Sequence, residues 1–433
     1  DELVVFILAT AILLLLLLLG IPIALSLALV GVLGFAVERG IEPAMIMLGQ
    51  VGLDAATNYS FSVLPLFVLM GNVIGRSQLA QDMYAAANAF LGHRRGGLAM
   101  ATIGASGGFA AISGSSYACA ATMTGVAVPA MRKYHYDPGF AGASVAVGGT
   151  LGVLIPPSIG MVFYSLITGV SLSKLMIAGI LPGILTIILY IGAIAIVTRR
   201  RPAYGPAGDR SSRVEKLQSL AGIWPMFLLF TLMLGGIYAG VFTAMEAAGI
   251  GAFVAMVMAA LRRELSAPIL LDIFTDTIKT TVNLFLVFYG ALLFANFVIV
   301  SGVPHTVADL ITLNTFSPLT VLGIALIIYV VLGCILESTS LLLLTLPIFF
   351  PVLTGLGYDP IWLGIFVIVA AEIGLITPPI GMNVFVVSSM LPEVPAQKIF
   401  AALVPFLAAD VVRVSLLVAI PSIVLVLPGM MSS

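Results

Sequence analysis

Residues 147–160 read VGGTLGVLIPPSIG, and this stretch decides the fold because its two prolines interrupt an apolar helix. A proline inside a helix removes a backbone donor and clashes with the carbonyl one turn earlier. In hydrocarbon no water replaces the lost hydrogen bond, so such a break is stable only where it lines a polar cavity. Broken helices of this kind mark transport sites, because freed carbonyls coordinate cations and half-helix ends face anions.

The same pattern returns in the second half of the chain. Residues 371–382 read AEIGLITPPIGM, and their proline pair lies 222 positions after the first pair. Aligned without a gap, residues 129–157 and 351–379 are identical at ten of 29 positions. A duplication of this length predicts two large structural repeats rather than an array of small units.

The composition is that of a polytopic membrane protein. Of the 433 residues, 61% are hydrophobic and 9% are charged, and apolar runs of the roughly 20 residues needed to cross a bilayer recur throughout. The net charge of -1 gives no basic field for nucleic acid, so no nucleic-acid partner is expected. Cys119 and Cys334 lie in apolar segments, which predicts packing residues rather than a disulfide. The first apolar run lacks a basic flank and a small-residue cleavage site, so we do not interpret it as a signal peptide.

Two segments, residues 98–129 and 319–351, are apolar at both ends and polar in the middle. Each has about thirty residues, too few to cross a bilayer twice as full helices. Their middles are Ser113-Gly114-Ser115-Ser116 and Glu337-Ser338-Thr339-Ser340. We therefore predict two re-entrant helical hairpins whose polar tips lie in mid-membrane.

A broken helix with a proline pair follows each hairpin, at residues 139–168 and 361–390. Residues 38–62 and 268–280 are less apolar and are predicted to be connectors between spans. A crossing at residues 282–300 is expected to follow the second connector.

Basic residues set the predicted orientation of the two hairpins. Residues 280–397, which contain the second hairpin, have no Arg or Lys. The positive-inside rule therefore makes the first hairpin enter from the cytoplasm and the second from outside. Equivalent elements in opposite orientations form an inverted-topology repeat, with both tips near the midplane. The basic residues that flank the first hairpin are Arg94, Arg95, Arg132 and Lys133.

The predicted fold is an all-α polytopic membrane protein with an inverted-topology repeat, two re-entrant hairpins and two broken helices. Residues 1–198 form the first repeat and residues 222–433 the second. Residues 199–221, rich in Arg, Pro, Gly and Ser, are predicted to be a cytoplasmic linker.

The hairpin tips and broken helices are rich in oxygen and almost uncharged. Na⁺ suits such surroundings, because hard cations bind carbonyl, hydroxyl and carboxylate oxygens. An alternative explanation for these small residues is that they let membrane helices pack closely. Close packing does not explain why they recur beside both proline pairs. The candidate sodium ligands are Ser113, Gly114, Ser115, Gly149, Gly152, Glu337, Ser338, Gly374 and Thr377. The candidate substrate-binding residues are Ser115, Ser116, Pro156, Ser158, Ser338, Thr339, Pro378 and Asn383.

Glu337 and Glu372 are carboxylates within apolar runs, and intramembrane acids are candidates for function. A protonated or hydrogen-bonded structural glutamate is the alternative for either residue. Asp410 and Arg413, three residues apart on one helical face, are predicted to be structural or interfacial. The sequence contains no Ser/His/Asp order, HExxH, CxxC or P-loop motif, which disfavours an enzyme and direct ATP coupling.

Four runs together resemble the large membrane subunit of tripartite ATP-independent periplasmic (TRAP) transporters. The resemblance covers essentially the whole chain. The runs are FAAISGSSYACAATMTGVAVPAMRKYHYDPGFAGA from Phe109, GVLIPPSIGMVFYSLITGVSLSKLMIAGILPG from Gly152, FTAMEAAGIGA from Phe242 and LITPPIGMNVFV from Leu375.

This resemblance implies an elevator-type transporter, in which the hairpins and broken helices form a mobile transport domain. It also implies Na⁺-coupled uptake of a small organic acid across the bilayer of the bacterial inner membrane by a multi-pass protein. The implied partners are a periplasmic substrate-binding protein and a small four-helix membrane subunit. A self-sufficient Na⁺/dicarboxylate symporter of related hairpin architecture is the alternative. A channel, which belongs to a different functional class of membrane protein, is a further alternative. Neither tip and neither break contains Arg or Lys, so we expect this subunit alone to bind a carboxylate weakly.

Overall fold

The computed structural model describes residues 2–313 and 316–431 of the chain. Within these ranges the chain forms helices and no strands, which confirms the predicted all-α fold. In chain order the first half contains α1 Glu2–Leu18, α2 Ile23–Arg39, α3 Ile41–Thr57, α4 Val63–Gly75, α5 Leu79–Leu91, α6 Gly97–Ser113, α7 Ser116–Lys133, α8 Pro138–Gly149, α9 Leu151–Leu154, α10 Ile159–Thr168, α11 Leu172–Ala178 and α12 Ile180–Arg200. The second half contains α13 Arg213–Gly222, α14 Trp224–Tyr238, α15 Ala244–Leu261, α16 Ala267–Val300, α17 Val303–Leu313, α18 Pro318–Gly333, α19 Ser338–Gly355, α20 Pro360–Gly374, α21 Met382–Met390, α22 Ala396–Ala419 and α23 Ser422–Gly429.

Several of these helices are long enough to cross a bilayer. In the described parts of the chain six helices qualify by length and composition, or up to eight if each strongly bent pair is one span. The first arms of the two predicted hairpins, α6 and α18, are shorter apolar helices. At 17 and 16 residues they reach only about 25 Å, less than the roughly 30 Å of a hydrocarbon core.

The first polar tetrapeptide separates α6 from α7. Gly114 adopts a left-handed conformation with φ of 61°, which glycine reaches without a steric penalty. Ser115 then caps α7, because its Oγ accepts a hydrogen bond from the backbone N–H of Ala118 at 3.4 Å. The turn and the new helix start therefore both follow from local chemistry.

The second polar tetrapeptide separates α18 from α19 in the same way. The Glu337 carboxylate caps α19 by accepting a hydrogen bond from the Ser340 backbone N–H at 3.3 Å. Helices α7 and α19 thus begin 222 residues apart, as do α8 and α20.

Both proline pairs interrupt helices where the sequence predicts. In the first half, α9 ends at Leu154, and α10 begins at Ile159 under a cap from Ser158, whose Oγ accepts from the Met161 N–H at 3.3 Å. In the second half, α20 ends at Gly374 and α21 begins at Met382. Proline supplies no N–H and disfavours helical geometry in the residue before it, so neither helix continues through its pair.

Hairpins and broken helices interlock across the two halves. Hairpin α6–α7 packs on α8, and hairpin α18–α19 packs on α20. In addition, α7 packs on α21 and α19 packs on α10, so each hairpin contacts the broken helix of the other half. We call these nine helices, α6–α10 and α18–α21, the central unit.

Glycine permits the closest backbone approaches inside the central unit. A Cβ atom on Gly152 would lie 2.5 Å from the carbonyl oxygen of Ser115, and one on Gly374 would lie 2.6 Å from the Cα of Gly333. Two of the predicted sodium ligands therefore have a demonstrable packing role, since any larger residue would push a hairpin from its broken helix.

Both predicted connectors are wrong, because both regions are helical. Residues 38–62 contain α3, which joins the segment Tyr59–Gly75 at a bend of 52°. The expected connector at 268–280 and the crossing after it are one 34-residue helix, α16, about 51 Å long. Asp272 and Asp276 lie one turn apart on its exposed surface, so their polarity marks a solvated face rather than a helix end.

The predicted linker is more ordered than its composition suggests. It contains a short 3₁₀ turn, Pro202–Tyr204, and the helix α13, which starts with a reciprocal Ser212–Glu215 capping box. The backbone N–H of Gly208 donates to the carbonyl of Gly92 at 2.8 Å, which holds the segment against the α5–α6 corner.

Candidate functional site

The carboxylate of Glu372 joins the tips of both hairpins. Its Oε2 accepts a hydrogen bond from the Ser116 hydroxyl at 2.6 Å, and its Oε1 accepts one from the Ser338 hydroxyl at 2.5 Å. Ser116 and Ser338 are the first residues of α7 and α19, and they lie 222 positions apart in the sequence. Glu372 lies two residues before Gly374, at the end of α20 and directly before the second break.

Burial makes the ionised form of this carboxylate energetically unfavourable. Glu372 has no exposed surface, and no salt bridge to it occurs among the described residues. Removing an ion from water costs several kcal/mol unless a partner compensates. Two hydroxyl donors offset part of this cost, and a bound cation or a proton is the remaining means of compensation.

A cavity of 430 Å³ lies beside the first hairpin tip, within the size range typical of small-molecule sites. Its walls also include α4 and α16, which lie outside the central unit. The predicted site residues that line it are Ser113, Gly114, Ser115, Glu337 and Thr339. One cavity therefore brings together residues from both hairpins, which are more than 200 positions apart in the sequence.

The part of this cavity that α4 and α16 form carries polar residues that the sequence analysis missed. Arg76, just after α4, forms salt bridges to Asp272 at 3.5 Å and to Asp276, both on α16. Asn72 on α4 donates to the Thr277 hydroxyl at 2.9 Å. The hairpin tips do lack basic residues, as predicted, but the cavity is not built from the tips alone. Arg76 is the only Arg or Lys between Arg39 and Arg94 in the sequence, and this isolation could have indicated it.

Another group of predicted residues is buried where α8 meets α21. The Asn383 side-chain amide donates to the carbonyl of Ala146 at 3.2 Å, and a Cβ on Gly149 would lie 2.9 Å from that amide nitrogen. The Asn383 Oδ1 is buried and accepts no hydrogen bond within the described chain. An orphaned buried oxygen of this kind suits a hard cation.

The remaining predicted residues lie elsewhere. Pro156 and Ser158 are buried in the first break and do not line the cavity. Pro378 is exposed at the second break. The Thr377 hydroxyl donates to the Ile373 carbonyl of its own helix at 2.7 Å. The structure therefore does not bring these four side chains together with the hairpin tips around the cavity.

Asp410 and Arg413 form a fully buried ion pair with a separation of 2.7 Å. The Tyr190 hydroxyl donates to Asp410 at 2.8 Å and lies 3.4 Å from the Thr150 hydroxyl on the first broken helix. This network fastens α12 and α22 to the central unit, in agreement with a structural role. Cys119 and Cys334 are both free thiols, which agrees with the packing role expected for them.

The architecture and site define a helical membrane transport protein, and comparisons with known proteins identify the family. Residues 10–423 match the family model described as "Tripartite ATP-independent periplasmic transporter, DctM component". The C4-dicarboxylate TRAP transporter large permease protein DctM of Pseudomonas aeruginosa is 36% identical over 378 residues, covering 87% of this chain and 88% of that protein. The isethionate TRAP transporter permease protein DctMQ of Oleidesulfovibrio alaskensis is 29% identical, covering 95% of this chain and 64% of that longer protein.

The chain belongs to the DctM family, the large membrane subunit of TRAP transporters. It is therefore a multi-pass membrane protein, and its relatives are permeases rather than enzymes. The crystal structure of the YdaH transporter of Alcanivorax borkumensis shares the fold, with a TM-score of 0.63 at 15% identity over 91% of this chain and 90% of that one. The family resemblance noted in the sequence is thus confirmed.

Proposed function

We propose that this permease moves a small organic acid, as its anion, together with Na⁺, through a site formed where the two hairpin tips meet. The observation that carries the proposal is the double hydrogen bond from Ser116 and Ser338 to the buried Glu372. One intramembrane carboxylate thereby connects both hairpins and responds to the position of each.

Sodium coupling is supported by the chemistry of the oxygens in this region. Glu372 is buried with hydroxyl partners only, and the Asn383 Oδ1 is a buried acceptor without a donor in the described chain. Both features match the oxygen donors that a hard monovalent cation takes. A nearby Na⁺ would balance the Glu372 charge without a basic side chain.

An anionic substrate is supported by the cavity of 430 Å³. The first turns of α7 and α19 meet it through Ser115 and Thr339, and helix N-termini favour negative charge. Arg76 adds a cation to the lining of the cavity. The names of the relatives cite C4-dicarboxylates and isethionate, which are small organic anions.

An elevator movement of the central unit is the mechanism that we propose. Its support is the interlocked packing of each hairpin on both broken helices, which favours movement as one body. In this mechanism α4 and α16 form part of the static wall, so the salt bridges of Arg76 stay within the scaffold. The inverted-topology repeat would supply the second state, in which the two repeats exchange conformations about a pseudo-two-fold axis.

The proposed setting is the bacterial inner membrane, with a small membrane subunit and a periplasmic substrate-binding protein as partners. The family name includes the words tripartite and periplasmic, and the DctMQ relative extends well beyond the part that this chain matches. The self-sufficient symporter remains the second candidate, because this chain alone forms the cavity and both hairpins.

Reconstitution separates these candidates. The chain is incorporated into liposomes with its small subunit, and uptake of a radiolabelled C4-dicarboxylate is measured under an inward Na⁺ gradient. The proposal predicts uptake only when both Na⁺ and the binding protein are present. Full uptake without the binding protein supports the self-sufficient symporter, and flux without any Na⁺ stoichiometry supports a channel.

A further inference from the structure

A groove of 1170 Å³ lies outside the candidate site, between α12 and α22. Its walls are almost entirely apolar. Ile188 and Ile196 on α12 are 60% and 56% exposed, and Val404 on α22 is 63% exposed. In a membrane protein such residues face acyl chains or another protein, because water is absent at this depth.

One end of the groove is basic. Arg200 and Arg201 follow at the end of α12, and Lys398 lies in the first turn of α22. None of the three forms a salt bridge within the part of the chain that the structure describes. The acid at this end is Asp137, whose Oδ1 accepts a hydrogen bond from the Phe140 backbone N–H at 2.8 Å.

The basic end is held in place by a short chain of contacts. The Tyr204 carbonyl accepts the Asp137 N–H at 3.2 Å. The Tyr204 hydroxyl accepts a hydrogen bond from Arg201 at 3.0 Å, and the guanidinium lies 5.4 Å from the centre of its ring. Arg201 is thus oriented at the groove, which lowers the entropy lost when an anion binds.

The depth of the groove matches one leaflet of a bilayer. Its α12 wall runs from Ile188 to the basic end at Arg200, which is about 18 Å along a helix. Half of a roughly 30 Å hydrocarbon core is about 15 Å. The cations therefore lie at the depth of the lipid headgroups, on the side that the positive-inside rule makes cytoplasmic.

We propose that this groove binds an anionic phospholipid of the cytoplasmic leaflet. The acyl chains lie between α12 and α22, and the phosphate binds Arg200, Arg201 and Lys398. Basic pockets between membrane helices on the cytoplasmic side favour anionic headgroups in this way. A helix of a protein partner would fill the apolar part but would need acidic residues of its own to pair with the three cations. This inference rests on the family membership and not on the proposed Na⁺ coupling.

Native mass spectrometry of the whole purified chain tests the headgroup contacts. The probes are dioleoyl phosphatidylglycerol and dioleoyl phosphatidylcholine, which differ only in the headgroup. We expect the wild type to prefer phosphatidylglycerol. The variant Arg200→Gln/Arg201→Gln/Lys398→Gln should lose about 100-fold in affinity for phosphatidylglycerol, since each cation near a membrane surface contributes about fivefold. Its affinity for phosphatidylcholine should not change.

A matched control removes three cations that lie outside the groove. The variant Arg199→Gln/Arg210→Gln/Arg213→Gln has the same net charge as the first variant, and all three replaced residues are exposed. It should bind phosphatidylglycerol as the wild type does. Equal affinity of the wild type for the two lipids, or equal losses in the two triple variants, overturns the proposal.

A second variant tests the apolar part of the groove. Gly192 lines it, and a Cβ atom there would meet nothing within 4 Å, so Gly192→Phe fills the space without disturbing the packing. It should weaken binding of both lipids, whereas Gly323→Phe, at an equally open position on α18, should not. Unchanged lipid binding in Gly192→Phe contradicts the proposal. So does loss of the small membrane subunit from this variant while lipid binding persists, because the occupant is then a protein.

Discussion

Replacing Glu372 by glutamine separates its charge from its hydrogen bonds. Glutamine has nearly the same shape, and its amide can still pair with the Ser116 and Ser338 hydroxyls, which now lie 2.6 and 2.5 Å from the carboxylate oxygens. Serine hydroxyls both donate and accept, so one can donate to the amide oxygen and the other can accept from the amide nitrogen. The substitution therefore removes the negative charge and leaves the junction between the hairpins intact.

The size of the effect follows from Coulomb's law. For a cation about 6 Å from a carboxylate, at an effective dielectric constant of about 20, the attraction is roughly 2.8 kcal/mol. This corresponds to about a 100-fold change in a binding constant. Glu372→Gln should therefore raise the Na⁺ concentration for half-maximal uptake by about two orders of magnitude. Glu372→Asp keeps the charge but withdraws it by one methylene, so its effect should be smaller.

The assay is initial uptake in proteoliposomes over a range of external Na⁺ concentrations at constant ionic strength. Glu42→Gln is the matched control, because Glu42 is exposed at the start of α3. Thermal unfolding of each variant verifies that the protein is folded. An unchanged Na⁺ dependence in folded Glu372→Gln protein would show that this carboxylate does not contribute to ion binding.

Three further predictions concern the cavity, the topology and the packing. Arg76→Gln leaves Asp272 and Asp276 without their cation, so the substrate KM should rise about tenfold. The control Arg39→Gln, at an exposed position, should keep the wild-type KM. Equal KM values for the two variants would show that Arg76 does not attract the substrate. Cysteines replacing His135 and Gly357 should react with impermeant maleimide only from the cytoplasmic and the outer side, respectively, and labelling of both from one side would contradict the inverted repeat. Gly374→Ala places a Cβ 2.6 Å from the Gly333 Cα and should destabilise the protein by about 1–3 kcal/mol, whereas Gly323→Ala, at an open position, should not lower the melting temperature.

The sequence predicts those features that depend on local chemistry. Both helix breaks at proline pairs and both polar hairpin turns fall where expected, because a missing N–H, a left-handed glycine or a capping side chain acts within a few residues. The caps Ser115 and Glu337 are examples. The extent of α16 could not be found in the same way, because polar side chains on one exposed helix face look like a connector in a linear sequence.

The remaining features of the site depend on tertiary contacts. Glu372 is a candidate from its apolar surroundings alone, but its two partners, Ser116 and Ser338, lie 256 and 34 positions away, and no local pattern joins them. Arg76 becomes relevant only when α4 and α16 close the cavity. In contrast, the Thr377 hydroxyl is a candidate ligand in the sequence, but in the structure it donates a hydrogen bond to the Ile373 carbonyl of its own helix. The sequence alone does not distinguish these two roles.

The most direct test of the proposed function is a measurement of Na⁺-driven uptake in a fully reconstituted system. Proteoliposomes that contain this permease and its small subunit are given the loaded binding protein outside, and the direction and size of the Na⁺ gradient are varied. The proposal predicts that a tenfold inward gradient drives accumulation of substrate above the external concentration and that its reversal abolishes accumulation. Equal accumulation with and without the gradient would contradict a Na⁺-coupled permease.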